Sequence, residues 1–116
     1  QIRAQRVAYI TQRLQLTADE SAFFWGVQSE HDVERKRITQ EFRALKNKVP
    51  VTEAEARAML EAKYTMEQRL LELRGRTMER LLTGVPAMKL VKLPDAEKDF
   101  RRDLLRQLRQ RRNGRG

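Results

Sequence analysis

The chain is 116 residues long, enough for one domain, with 40% hydrophobic and 35% charged residues, five glycines and three prolines. That balance excludes a thick globular core and, with Ala, Leu, Arg, Lys, Glu and Gln dominant, predicts an all-α protein of amphipathic helices without strands. The absence of cysteine excludes disulfides and thiolate ligands, and a net charge of +9 predicts an acidic partner, whether nucleic acid, anionic lipid or an acidic protein surface.

Ala4, Val7, Ile10 and Leu14 recur three or four apart and predict a first helix ending near Gln15. Leu16 to Glu20 reads as a break and restart. Thr17 with Glu20 forms a capping box, and Asp19 and Glu20 suit the positive first turn of a second helix from about Ala18. Phe24, Val27, His31, Ile38, Phe42 and Leu45 give that helix its inward stripe, out to about Lys48. A helix of about 30 residues is roughly 45 Å long, which predicts an elongated or oligomeric protein.

Pro50 stops the second helix, and Thr52 with Glu55 is a second capping box that starts a third helix near Glu53. Met59, Ala62, Met66, Leu70, Leu73 and Leu81 form its stripe, flanked by Leu60, Tyr64, Leu71 and Met78, until Gly84 and Pro86 end it. Two long helices joined by a few residues are expected to form an antiparallel hairpin. Gly26 and Gly75 each cost about 1 kcal/mol against alanine; Gly75 reads as a tolerated surface position. Ala87, Leu90, Leu93, Phe100, Leu104 and Leu108 predict a last helix kinked or split at Pro94. Arg101, Arg102, Arg106, Arg109, Arg111, Arg112 and Arg115 crowd its end, and 113–116 is expected to be disordered, leaving one helical domain over 1–112.

In this order, Ile10-Thr11-Gln12-Arg13-Leu14-Gln15-Leu16-Thr17 followed by Phe24-Trp25, the Pro50/Thr52 junction and a final stretch with Glu97, Phe100, Arg101 and Arg102 resemble the Spy/CpxP-like family of periplasmic stress proteins. The likeness is to its Bacteroidetes type, described as sensors of extracytoplasmic-function sigma factors, and it spans almost the whole chain. Glu20 stands where the family's leucine-threonine motif carries Glu or Gln, and Leu82-Thr83-Gly84-Val85-Pro86 is a degenerate second copy. The chain departs from the family in having Gly26 in place of a proline after the tryptophan, and Pro94 in the last helix.

The resemblance implies a four-helix protomer, export to the periplasm, a curved antiparallel homodimer built on the long hairpin, and action as an ATP-independent chaperone or an envelope-stress or metal sensor. Candidate contacts to unfolded, partly acidic clients are Arg35, Lys36, Arg37, Arg43, Lys46 and Lys48 of the second helix with Arg57 and Lys63 of the third. A chain that begins at Gln1 rather than methionine is what a processed product would show.

Phe23, Phe24 and Trp25 are consecutive, so their rings cannot share one direction on a helix. Phe23 and Trp25 are therefore candidates for an interface with another protomer, against the alternative that all three pack where the first helix folds back. His31 is the only histidine and lies on the inward stripe, where packing is expected over metal ligation or pH sensing. Without cysteine or a Glu-x-x-His pair the usual zinc and di-iron ligand sets are missing, and Met59 and Met66 read as gap-filling core.

No glycine-rich phosphate loop, nucleophile motif or paired carboxylates point to catalysis, and no cofactor or small-molecule substrate is expected. The sequence thus predicts a non-enzymatic binder: a periplasmic, dimeric stress protein that engages unfolded or acidic clients or a stress-signalling partner. The alternative is a nucleic-acid-associated or scaffolding protein that uses the arginine-rich end. A regulator of a membrane-anchored sigma-factor system is a narrower option that the resemblance suggests.

Overall fold

The computed structural model describes residues 2–114, which are all-α with no strand among them. The helices are α1 (Ile2–Leu14), α2 (Ala18–Lys46), α3 (Glu53–Leu81), a single turn α4 (Ala87–Leu90) and α5 (Leu93–Gly114). None is long and apolar enough to cross a membrane. The chain divides into two compact units, one of 1–25 and 82–116 and one of 26–81. The sequence reading has a single domain. One boundary falls inside α2, where composition gives no sign of it, and the other at the end of α3, where the segment containing Gly84 and Pro86 follows.

Backbone chemistry explains where α1 stops. Gln15 takes a left-handed conformation with φ 54°, its N–H donates to the Gln12 carbonyl at 3.1 Å, and the Leu16 N–H donates to the Thr11 carbonyl at 3.1 Å. This pair of bonds is the Schellman arrangement, which satisfies carbonyls at the helix end at the cost of a left-handed residue. Glycine adopts that conformation without the Cβ penalty, so Gln15→Gly is expected to stabilise the protein by about 0.5–1 kcal/mol in a urea titration. Thr17 then caps α2 as predicted. The Glu20 N–H donates to Thr17 Oγ1 at 3.2 Å, and the Thr17 N–H donates to Glu20 Oε1 at 2.9 Å.

The start of α3 is half of such a box. The Glu55 N–H donates to Thr52 Oγ1 at 3.1 Å, but Glu55 Oε2 accepts from the N–H of Val51, at 2.9 Å, instead of from Thr52. Pro94 is the second residue of α5, and the helical path breaks before it, at Val91 and Lys92. A first-turn N–H has no intrahelical partner, so proline loses nothing there and defines where α5 begins. The expected disorder at 113–116 is corrected for Asn113 and Gly114, which complete α5; Arg115 and Gly116 lie outside the described residues. Once a helix is nucleated each added residue gains a backbone hydrogen bond, and nothing after Pro94 opposes that.

The first unit packs α1, the first turns of α2, α4 and α5. Its core is Ile10, Leu14, Phe24, Val85 and Ala96, with Val7, Leu93, Phe100 and Leu104 half-buried, whereas Ala4, Ala87 and Leu108 of the predicted stripes are exposed. Arg6 Nη2 meets Glu97 at 2.7 Å, Arg13 Nη1 meets Asp99 at 3.0 Å, and the Tyr9 and Phe100 ring centroids are 5.5 Å apart. Gly84 lies under Phe23: a Cβ there would stand 2.5 Å from the ring. Gly84→Ala is therefore expected to cost about 1–3 kcal/mol through overpacking. The penalty should largely vanish when Phe23→Ala is already present, which a double-mutant cycle by chemical denaturation measures.

In the second unit α2 and α3 form the expected antiparallel hairpin. Its register is fixed by Glu30 with Arg80, His31 with Thr77 and Glu41 with Arg69, pairs whose numbers rise on one helix as they fall on the other. Val27, Ile38, Leu73, Thr77 and Leu81 are buried; Phe42, Met59, Ala62, Met66 and Leu70 are half-buried, and Leu45 near the connecting turn is exposed. A methyl group added at Gly26 or Gly75 meets nothing within 4 Å, which fits the reading of Gly75 as a tolerated position.

Candidate functional site

The second unit sorts its charges. One flank of the hairpin is laced with ion pairs: Arg80 to Glu30 at 2.6 Å, Arg69 to Glu41 at 2.6 Å, and Arg37, which binds Glu34 and approaches Glu41 at 3.6 Å. With about 100° of turn per residue, Arg35, Thr39, Arg43 and Lys46 fall on the opposite flank of α2, three or four residues apart. The matching flank of α3 carries Lys63 and Arg74. These five basic side chains are exposed and form no ion pair among the described residues. Asp32 and Glu67 are the carboxylates on this side.

Next to that flank, α3 turns an apolar row to solvent. Leu60, Tyr64, Leu71 and Met78 are spaced four, seven and seven residues apart, and each is more than half exposed. The spacing keeps them on one side of the helix, about a third of a turn from the buried stripe. They read in sequence as flanks of the core; the structure makes them a surface. Exposed apolar side chains at a constant helical position amount to a patch, unlike scattered single ones.

The other predicted contacts distribute as follows. Lys36 points away from the hairpin core, Lys48 lies in the connecting turn, and Arg57 stands one turn from Glu53 and Glu61, with which it lines a shallow depression. Arg37 is on the ion-paired flank, so the eight basic candidates do not form one surface. His31 is half-buried and its Nδ1 is 2.8 Å from Thr77 Oγ1, which matches the packing expectation. Sequence reading missed Thr77, because a threonine on an apolar stripe gives no signal until its hydroxyl has a partner.

In the first unit both candidate interface rings are engaged by their own chain. Trp25 Nε1 donates to Thr11 Oγ1 at 2.9 Å, the ring stands edge-on to Phe24 with centroids 4.8 Å apart, and the Arg6 guanidinium lies 5.5 Å from its centroid. Phe23 covers Gly84 and is 36% exposed. Trp25 thus follows the alternative in which the rings pack where the first helix folds back, and Phe23 retains a solvent edge.

Three carboxylates are held below the usual glutamate range. The Lys89 ammonium, which meets Glu20 at 2.5 Å, acts on Glu20 together with the Thr17 N–H; the Arg37 guanidinium acts on Glu34; the Arg69 guanidinium acts on Glu41. A carboxyl whose folded value is depressed contributes stability that is complete above its unfolded value, near pH 4.3, and is lost as pH falls through the lower folded value. The melting temperature is therefore expected to stay level from neutral pH to about 5 and to drop below about 4, readable by circular dichroism melts.

Among the described residues no cluster of three or more His, Asp or Glu side chains is placed to hold a metal. No family model, curated protein or solved structure matches the chain.

Proposed function

We propose that this protein acts by binding other polypeptides, as an ATP-independent, chaperone-like protein for unfolded, partly acidic clients. The observation that carries the reading is the hairpin surface, where Arg35, Arg43, Lys46, Lys63 and Arg74, which form no ion pair among the described residues, border the exposed row Leu60, Tyr64, Leu71 and Met78. Positive charge steers an acidic chain to the surface, and non-directional apolar contact holds it without demanding a sequence. The ion-paired flank opposite is neutralised and suits solvent better than a client. The resemblance to the Spy/CpxP-like family supports the same reading and adds a periplasmic location, a homodimer and a role in envelope stress.

The test is light scattering of a denatured acidic client diluted into buffer with and without the protein, with no nucleotide present and across a salt series. Suppressed aggregation at near-equimolar ratio, weakening as salt rises, is the expected result. Absence of suppression with several acidic clients at low salt would sink the general chaperone reading. A dedicated stress-signalling partner, captured from periplasmic extract and bound at the same surface, would then replace it.

A further inference from the structure

The first unit ends in a basic arm. The contacts of α1 to α5 involve Glu97, Asp99 and Phe100, and every described residue after Leu104 is exposed. Lys98, Arg101, Arg102, Leu105, Arg106 and Arg109 lie on one side of α5, where they line a shallow depression, and Arg112 continues the row one turn on. From Lys98 to Arg112 the row is about 21 Å long at 1.5 Å per residue. Arg102 is shared by Asp99, at 3.2 Å, and Asp103, at 4.0 Å; Arg101, Arg106, Arg109, Arg111 and Arg112 form no ion pair among the described residues. After Asp103 the sequence contains no further acidic residue.

Two leucines decide between the polyanions that such a row fits. Leu105, 50% exposed, lies in the middle of the arginines, and Leu108, 48% exposed, stands beside Arg111 and Arg112. A nucleic-acid phosphate chain has no use for apolar groups among its cations, and of the amides that could read bases Gln107 lies on the opposite side of α5, while Gln110 and Asn113 border the row only towards its end. The single aromatic ring of α5, Phe100, is packed on Tyr9 and offers no stacking platform. A bilayer interface needs this mixture: guanidinium groups for headgroup phosphates, with leucines set between them to enter the acyl boundary. We propose that the exposed face of α5 docks the protein on an anionic phospholipid surface. The proposal uses only the first unit and is independent of client binding by the hairpin.

The test is flotation of the full chain with vesicles of phosphatidylcholine alone, and with vesicles in which one quarter of the lipid is phosphatidylglycerol. Binding to the anionic vesicles only is expected. Arg106→Glu with Arg109→Glu should weaken it about tenfold or more. Leu105→Gln with Leu108→Gln should weaken it several-fold and make the remainder more sensitive to salt. None of these side chains is in the core, so both variants are expected to fold, which circular dichroism checks. Failure to float with anionic vesicles at low salt overturns the proposal. So does undiminished binding by the leucine variant, or tighter binding to a DNA duplex at equal ionic strength, which would assign the row to nucleic acid.

Discussion

Replacing Phe24 by alanine is expected to lower the unfolding free energy by about 3–5 kcal/mol, the largest loss expected of an alanine substitution in the buried core. Phe24 is fully buried and is the largest side chain in that state. Its ring also meets Trp25 edge-on with centroids 4.8 Å apart, a contact worth about 0.5–1.5 kcal/mol beyond area burial. The remaining core of the first unit is thin, namely Ile10, Leu14, Val85 and Ala96, so few neighbours can collapse into the cavity. Against a total stability of about 5–15 kcal/mol, such a loss is large enough to shift the population at ambient temperature. Urea denaturation followed by circular dichroism measures it. Phe23→Ala, one residue away, removes a ring that is already 36% exposed and should cost less than half as much. Equal losses at the two positions would mean that the core is not organised around Phe24.

What was legible in the sequence is what local chemistry controls. Thr17 with Glu20 located the start of α2, Thr52 that of α3, and the three- and four-residue spacing of apolar side chains identified the elements and the hairpin. What was hidden depends on geometry away from a residue's sequence neighbours. Gln15 carries no hint of a left-handed cap, since glycine is the usual signal there. Pro94 pointed to a break, but whether it lies within a helix or opens one depends on the path of Val91 and Lys92. Gly84 was read as a helix terminator, whereas its constraint is the ring of Phe23 above it.

The candidate surface shows the same division. Basic residues on α2 were visible, and Glu34 and Glu41 stand at helical spacing from Arg37, but only the hairpin register reveals that Arg69 of α3 completes this flank while Arg35 and Arg43 lie on the other. Leu60, Tyr64, Leu71 and Met78 have the spacing of packing residues, and a single sequence does not distinguish a seam that is filled from one left open. Trp25 illustrates the converse. Its aromatic bulk suggested an interface, but Thr11 and Arg6 of the same unit engage its N–H and its ring face.

The sorting of charge across the hairpin leads to the second large effect. Arg35→Glu, Arg43→Glu and Lys46→Glu combined are expected to weaken binding of an acidic unfolded client on the order of tenfold or more, with the difference shrinking as salt rises. These side chains have no acid partner among the described residues, so reversal changes the field of that flank without breaking an internal pair. Arg37→Gln is the informative control. Arg37 is held by Glu34 and lies near Glu41, so its loss should cost little stability, as exposed pairs generally do, and should leave client affinity close to wild type. Leu60→Ser with Leu71→Ser separates the other half of the interaction, because it should weaken binding at high salt, where steering is screened and apolar contact remains. Fluorescence anisotropy of a labelled unfolded client measures all three. If the triple reversal and Arg37→Gln weakened binding alike, clients would be responding to net charge, and the distinction between the two flanks would have no functional meaning. If the leucine variant alone mattered, the surface would be an apolar docking row with the cations incidental.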